Sequence, residues 1–437
     1  MAQLKDNEVE RALCHLFPST WLKEQARQTG MVKRNRKVNP VALFWTLLLG
    51  FGIGKERDIA SLRRGYESAT GTILAASSFY DRFSEALVAF LQKGCDHALG
   101  QIYATPQALK GILGAFRDVL LIDATVLRLH DLLKNCYVAC RTNHTKAAAK
   151  LHLVLSVLGV SEQKVKLTGE RKHESKVWTV GKWVKDRLLL FDLGFFKYAL
   201  FDLIDRYGGF FISRLKGICN PTIVSVHHGS AEKLLGRKLK EVLTFIKRDI
   251  LDVEVEVSYK KRAYRGKRRT VTRRFRVVGI KNPLTRSHHL YITNIPVDIL
   301  TAMAIAQVYS ARWLIELVFK QLKSFYQLES LPSGNPYVVH ALILSAILTM
   351  IVSRTIEQTL SQLRFFEEKS LQTPIEEVFP LLRLAAVLTA FSAQLLQAVL
   401  RQAGLKIPSL TLTQLILKEA RDPNRNRDTL SKRALHI

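Results

Sequence analysis

Five apolar runs of strand length follow one another between residues 118 and 214, and two of them carry an aspartate inside or at the end of a core-type segment. The first, Asp118 to Leu127, has Asp123 near its centre. Leu151–Val157 and Lys164–Thr168 come next, and Arg187–Asp192 then ends on an acid. Residues 195–207 have helical spacing, and Gly208–Arg214 closes the series as a fifth strand. Three strands in succession, then strand–helix–strand, predict a mixed sheet with helices on its faces. Charged groups are rare in buried strands; taken singly, Asp123 could be a strand-end acid and Asp192 a turn former, and Asp202 and Asp205, within the predicted helix, compete with Asp192.

Composition narrows the partners. Among 437 residues, Lys and Arg number 66 and Asp and Glu 37, a net charge of +29, with 48% hydrophobic residues. So many apolar residues exclude a disordered basic tail, and the charge must sit on folded surfaces, where it favours polyanions, nucleic acid first. Five scattered cysteines suit a reducing compartment. Cys136 and Cys140 have His130 and His144 nearby but lack the second close pair of a structural zinc site. The N-terminus has no signal-peptide pattern. The longest apolar run, Tyr337–Ser353, contains His340, Ser345 and Thr349 and reads as a buried core helix rather than a membrane span.

The chain divides into a helical N-terminal domain (1–112), a catalytic-type α/β segment (113–217), a β-rich insertion (218–296), a second α/β segment (297–365) and a helical C-terminal region (366–437). The N-terminal helices read equally as a DNA reader or as a packing domain. In the insertion, residues 260–286 hold twelve Lys and Arg and no acid. A run of this kind is commonly a solvated hairpin face. Twelve like charges repel one another, however, and phosphates would relieve the repulsion and release counterions. Lys260, Lys261, Arg262, Arg268, Arg269, Arg273 and Arg274 are the candidate DNA contacts.

The segment Val308–Lys323 predicts one amphipathic helix. At ~100° per residue, with Tyr309 as origin, Arg312, Glu316, Lys320 and Lys323 fall between about 300° and about 20°, while Leu314, Ile315, Val318 and Leu322 occupy roughly 140° to 240°. An ordinary helix with Arg312–Glu316 and Glu316–Lys320 pairs would read the same way.

The spacing Tyr309-x2-Arg312-x3-Glu316-x6-Lys323 resembles the YREK motif of the insertion-sequence-four family of bacterial DDE transposases, and Arg312-Trp313-x-Ile315-Glu316 is similar to the surrounding core. The resemblance covers about 117–330. It implies an RNase H-like mixed five-stranded sheet with flanking helices and a β-rich insertion before the helix of the third acid. It also implies Asp123, Asp192 and Glu316 as catalytic metal ligands, with two Mg²⁺ or Mn²⁺ ions. Tyr309, Arg312 and Lys323, joined by Lys320, would grip DNA. Hard divalent cations take carboxylate oxygens, and an ion pair of this kind serves in-line phosphoryl chemistry.

The implied protein binds the terminal inverted repeats of an insertion sequence and moves it by cut-and-paste, as a homodimer in a synaptic complex with double-stranded DNA. It would work in a prokaryotic cytoplasm, on the nucleoid when DNA-bound, without a membrane. Two rival readings share these residues: a structure-directed RNase H-like nuclease without strand transfer, and a non-catalytic, domesticated DNA-binding copy. Relatives that form a DNA hairpin use a Trp in the insertion. None lies in 218–296 here, which leaves Tyr264, Phe275 and Tyr291 as the aromatic alternatives.

Overall fold

The computed structural model describes residues 7–33, 38–52, 58–72, 74–99, 111–140, 145–158, 161, 163–172, 177–228, 231–261, 269–283, 285–328, 331, 333–367 and 381–405. The chain forms two compact units. One combines Met1–Ile102, Leu127–Ala149 and Lys320–Ile437; the other combines Tyr103–Val126 and Lys150–Phe319.

The second unit is built on a mixed sheet. Its strands are β1 (Asp118–Leu129), β2 (Ala147–Ser156), β3 (Lys164–Gly169), β4 (Arg187–Phe191), β5 (Phe210–Arg214), β6 (Thr222–His228), β7 (Ile250–Lys260), β8 (Thr270–Lys281) and β9 (His288–Thr293). Among the described residues the sheet has nine strands, in the order β3-β2-β1-β4-β5-β9-β8-β7-β6. The predicted five-stranded sheet is therefore corrected. β1, β4 and β5 are parallel neighbours, and β9 then pairs antiparallel with β5, Ile212 opposite Thr293 and Arg214 opposite Tyr291. The insertion is the continuation of the same sheet. An open β5 edge would leave a row of unpaired N–H and C=O groups, and β9 covers it.

One face of this sheet is a continuous aromatic and aliphatic core. Leu120, Ile122, Leu189, Phe191, Phe211, Val255 and Phe275 meet Phe201 and Ile204 of the helix Tyr198–Arg206. Phe201 stacks on Phe211 at 4.2 Å and 6°, and Phe275 meets Phe211 edge-on at 5.5 Å. Two polar clusters tie the insertion strands down. Asp202, fully buried, accepts from the Tyr259 hydroxyl and from Arg273 Nε. Arg276, also buried, pairs with Asp252 at 2.6 Å and donates to the carbonyls of Ile295, Pro296 and Leu300, which lead into the helix Ala302–Ser310.

The other unit is helical. Its centre is the helix Pro336–Glu367, which packs against Glu8–Leu16, Glu85–Ala98 and the wide turn Leu47–Gly52. By length and composition Pro336–Leu360 could cross a membrane, but 83% of its apolar window is buried inside the protein, as in the core helix the sequence predicts. Thr349 Oγ1 donates to the Leu48 carbonyl at 2.6 Å. A widened i→i+5 turn loosens the backbone ladder, and this hydroxyl occupies one of its acceptors.

Candidate active site

The parallel register of β1 and β4 places Ile122 opposite Phe191. The next residues, Asp123 and Asp192, therefore lie side by side at the carboxyl end of β4. Side chains alternate along strands, so both acids point to the face away from the Ile122–Phe191 core. The ends of parallel strands are where α/β sheets place ligands. β1 marks the change itself: it is fully buried from Asp118 to Ile122 and partly exposed from Asp123 to Val126.

Asp118 shows what a structural acid looks like here. Its carboxylate is buried and accepts from the backbone N–H of Val119 and Ser161 and from Ser156 Oγ, each at 2.7 Å. Asp202 is another, satisfied on the core side of the sheet. Asp205, one turn further along the same helix, accepts from Asn294.

The third acid arrives on a helix. The sequence predicts one uninterrupted helix through Val308–Lys323. The structure has Ala302–Ser310 and Trp313–Ser324, joined by a tightened turn. Ala311, Arg312, Leu314 and Ile315 donate to Val308, Tyr309, Ala311 and Arg312, three residues back, at 3.0–3.2 Å. A three-residue pitch eclipses positions i and i+3. The guanidinium of Arg312 accordingly lies over the Tyr309 ring, 5.6 Å from its centroid.

Tyr309 is buried, and its hydroxyl donates to the Phe191 carbonyl at 3.1 Å, which fixes the helix to the end of β4 beside Asp192. Burial pushes this phenol up to about 12, against the pull of the Arg312 charge. Arg312 Nη2 lies 2.6 Å from Glu316 Oε1, and Nη1 lies 3.8 Å from Asp123 Oδ2. Nε and Nη1 are buried without a hydrogen-bond acceptor. Burial works against the Arg312 charge, but Tyr309, Glu316 and Asp192 outweigh it and hold the guanidinium more firmly charged than usual.

One cation thus stands among three carboxylates. Among the described residues, no three His, Cys, Asp or Glu side chains lie close enough together to hold an ion. The donor set still suits a hard divalent cation, because it is all carboxylate, two acids adjoin in register, and the guanidinium between them has N–H groups not yet matched to acceptors.

Lys320 is exposed and Lys323 half-buried on the later turns of the Glu316 helix, where the chain enters the helical unit. In the insertion, Lys260, Arg269 and Arg274 are exposed and Lys261 is half-exposed. Arg274 stands opposite Glu256. Arg273 is spent on Asp202, and Arg276, one of the twelve basic residues, is buried. Arg262, Arg268 and Tyr264 lie outside the described residues. Phe275 is core, whereas the Tyr291 ring packs 5.1 Å from Tyr309. Sequence reasoning passed over Arg214, the last residue of β5. Its only signal was a basic residue ending a buried strand.

The sequence pattern described as Transposase DDE domain matches residues 114–351. The chain is 25% identical over 359 residues to the transposase for insertion sequence element IS231B of Bacillus thuringiensis subsp. berliner, covering 72% of each protein. It is 25% identical over 366 residues to that of IS231F from subsp. israelensis, covering 74% of this chain and 73% of the relative. To the transposase for IS1151 of Clostridium perfringens it is 23% identical over 352 residues, with 73% and 72% covered.

Proposed function

The chain belongs to the Transposase DDE domain family and is an insertion-sequence transposase, an enzyme that cuts DNA; from that premise we propose that Asp123, Asp192 and Glu316 form its catalytic centre. The observation that carries this reading is the β1–β4 register, which sets two acids side by side, with Arg312 linking Asp123 to Glu316.

Asp123, Asp192 and Glu316 would hold divalent cations, Mg²⁺ or Mn²⁺. When bound, such ions supply Lewis acidity that favours an ionised nucleophile and steadies the leaving oxygen. The protein's own groups do the rest. Arg312 presents a planar fork that matches a backbone phosphate, and its buried, unsatisfied N–H groups gain most from an anionic acceptor. Tyr309 commits its hydroxyl to the Phe191 carbonyl and so acts by positioning Arg312, through the ring beneath the guanidinium. Lys320 and Lys323 extend the basic side of the helix toward the DNA. Lys260, Lys261, Arg269 and Arg274, together with Arg262 and Arg268, form the flanking phosphate contacts. Arg273 is withdrawn from that set by its pair with Asp202.

In this reading the first five strands form an RNase H-like core, and residues 1–112 contribute end recognition. Two copies join two inverted repeats in a synaptic complex and transfer freed 3′ ends to target DNA, within a prokaryotic cytoplasm. The test is cleavage of DNA carrying the element's ends in Mg²⁺. Asp123→Ala and Glu316→Ala should abolish cutting while binding persists. Cutting at the wild-type rate would end the assignment. Cutting without any joining to target DNA would favour the nuclease reading.

A further inference from the structure

The register that pairs the two strand acids continues one strand further. Phe191 of β4 stands opposite Ser213 of β5, so Asp192 and Arg214 are neighbours; Arg214 in turn faces Tyr291 of β9. A transverse row therefore runs Asp123, Asp192, Arg214, Tyr291 along one face. Tyr291 closes it against Tyr309, whose ring lies 5.1 Å away. The Arg214 charge reaches both phenols and offsets part of the upward push that burial gives them.

Arg214 is exposed, and its Nη2 donates to His289 Nδ1 at 3.1 Å. Among the described residues no carboxylate pairs with it, although Asp192 is its neighbour in the sheet. Arg312, by contrast, already pairs with Glu316 and stands 3.8 Å from Asp123. Carboxylates repel DNA, and a guanidinium with its charge unspent beside Asp192 offsets that repulsion where the backbone must approach. A planar fork, steadied on one side by an imidazole, offers its remaining N–H groups to a phosphate.

We infer that Arg214 holds a backbone phosphate of the reacting DNA on the β5 side of the three acids. The inference rests on the carboxylate centre proposed above. The phosphate belongs either to the element end or to the target.

The test uses duplexes carrying the inverted repeat that flanks the gene, and separate target duplexes. Each carries a single neutral methylphosphonate at successive positions, and binding is measured in EDTA. Wild type should lose affinity several-fold at one particular phosphate, and Arg214→Gln should be indifferent there while responding normally elsewhere. Arg214→Lys should keep part of that response. The duplex in which the position appears identifies the source. Arg214→Gln should also lower the dependence of log affinity on log salt by about one unit. Full sensitivity of Arg214→Gln at every position, with an unchanged salt slope, overturns the inference. Arg312→Gln is run alongside. If it too changes nothing, the carboxylate centre itself has been misplaced.

Discussion

Arg312 reaches Glu316 at 2.6 Å and Asp123 at 3.8 Å, so a single side chain joins the acid on the helix to an acid on the first strand. The guanidinium offsets repulsion that the two carboxylates would otherwise suffer. A divalent ion held by these acids would compete with it, whereas a phosphate drawing Arg312 away would favour that ion. On the proposed assignment, metal loading and DNA engagement would be linked through one residue.

Arg312→Gln should therefore bind Mn²⁺ more tightly than wild type without DNA, by about tenfold, or ~1.4 kcal/mol, while binding duplex DNA more weakly. Titration followed by electron paramagnetic resonance reads the first effect and fluorescence anisotropy the second. Weaker Mn²⁺ binding in the variant would show that Arg312 organises the acids more than it competes for them.

Tyr309→Phe separates a positioning role from a DNA contact. The buried Phe191 carbonyl loses its donor, at a cost of about 1–2 kcal/mol in stability. Cleavage should fall, but the salt dependence of DNA binding should stay as in wild type, since the hydroxyl was never offered to phosphate. A flattened slope would return Tyr309 to the DNA interface.

The basic residues of the insertion should divide cleanly. Replacing Lys260, Lys261 and Arg269 together by Gln should reduce the salt slope of non-specific binding by about two to three units. Arg276→Met should leave the slope unchanged and destabilise the fold by roughly 3–5 kcal/mol, because Asp252 stays buried without its partner. Binding isotherms at several salt concentrations and urea unfolding check the two halves.

His152 gives the sheet a pH dependence. It is fully buried on β2, bonded to Thr168 at 2.9 Å, and lowered from 6.5 to about 4, first by burial and then by Lys150, Lys166 and Lys172. Between those values the unfolded chain binds the proton and the folded one does not, so stability falls as pH drops from about 6.5 to about 4. The loss is at most about 3 kcal/mol. Unfolding midpoints across this window should show it, and His152→Gln should flatten it.

Much of the site could be read from residue types alone. An acid interrupting a buried strand, an acid ending another, and a helix with Tyr, Arg, Glu and Lys on one arc are local patterns. What could not be read depends on distant pairing. Nothing in the alternation of residues 253–257 or 270–278 says that these strands continue the β5 edge. Arg273 and Arg276 resemble their basic neighbours until Asp202 and Asp252 are brought beside them. The tightened turn at Ala311–Arg312 rotates the guanidinium over Tyr309, whereas an even 3.6-residue pitch would leave it to one side. Arg214 escaped notice because its meaning comes from the strand beside it.

The helical unit is assembled from three separate stretches of the chain, and its central helix is not complete until Glu367. During synthesis, the buried Leu47, Leu48 and Leu49 of the wide turn emerge long before the helix that packs on that turn. A fragment ending anywhere short of residue 336 would display those side chains to solvent and aggregate. The amino-terminal helices therefore depend on residues beyond 336 to bury their apolar side chains.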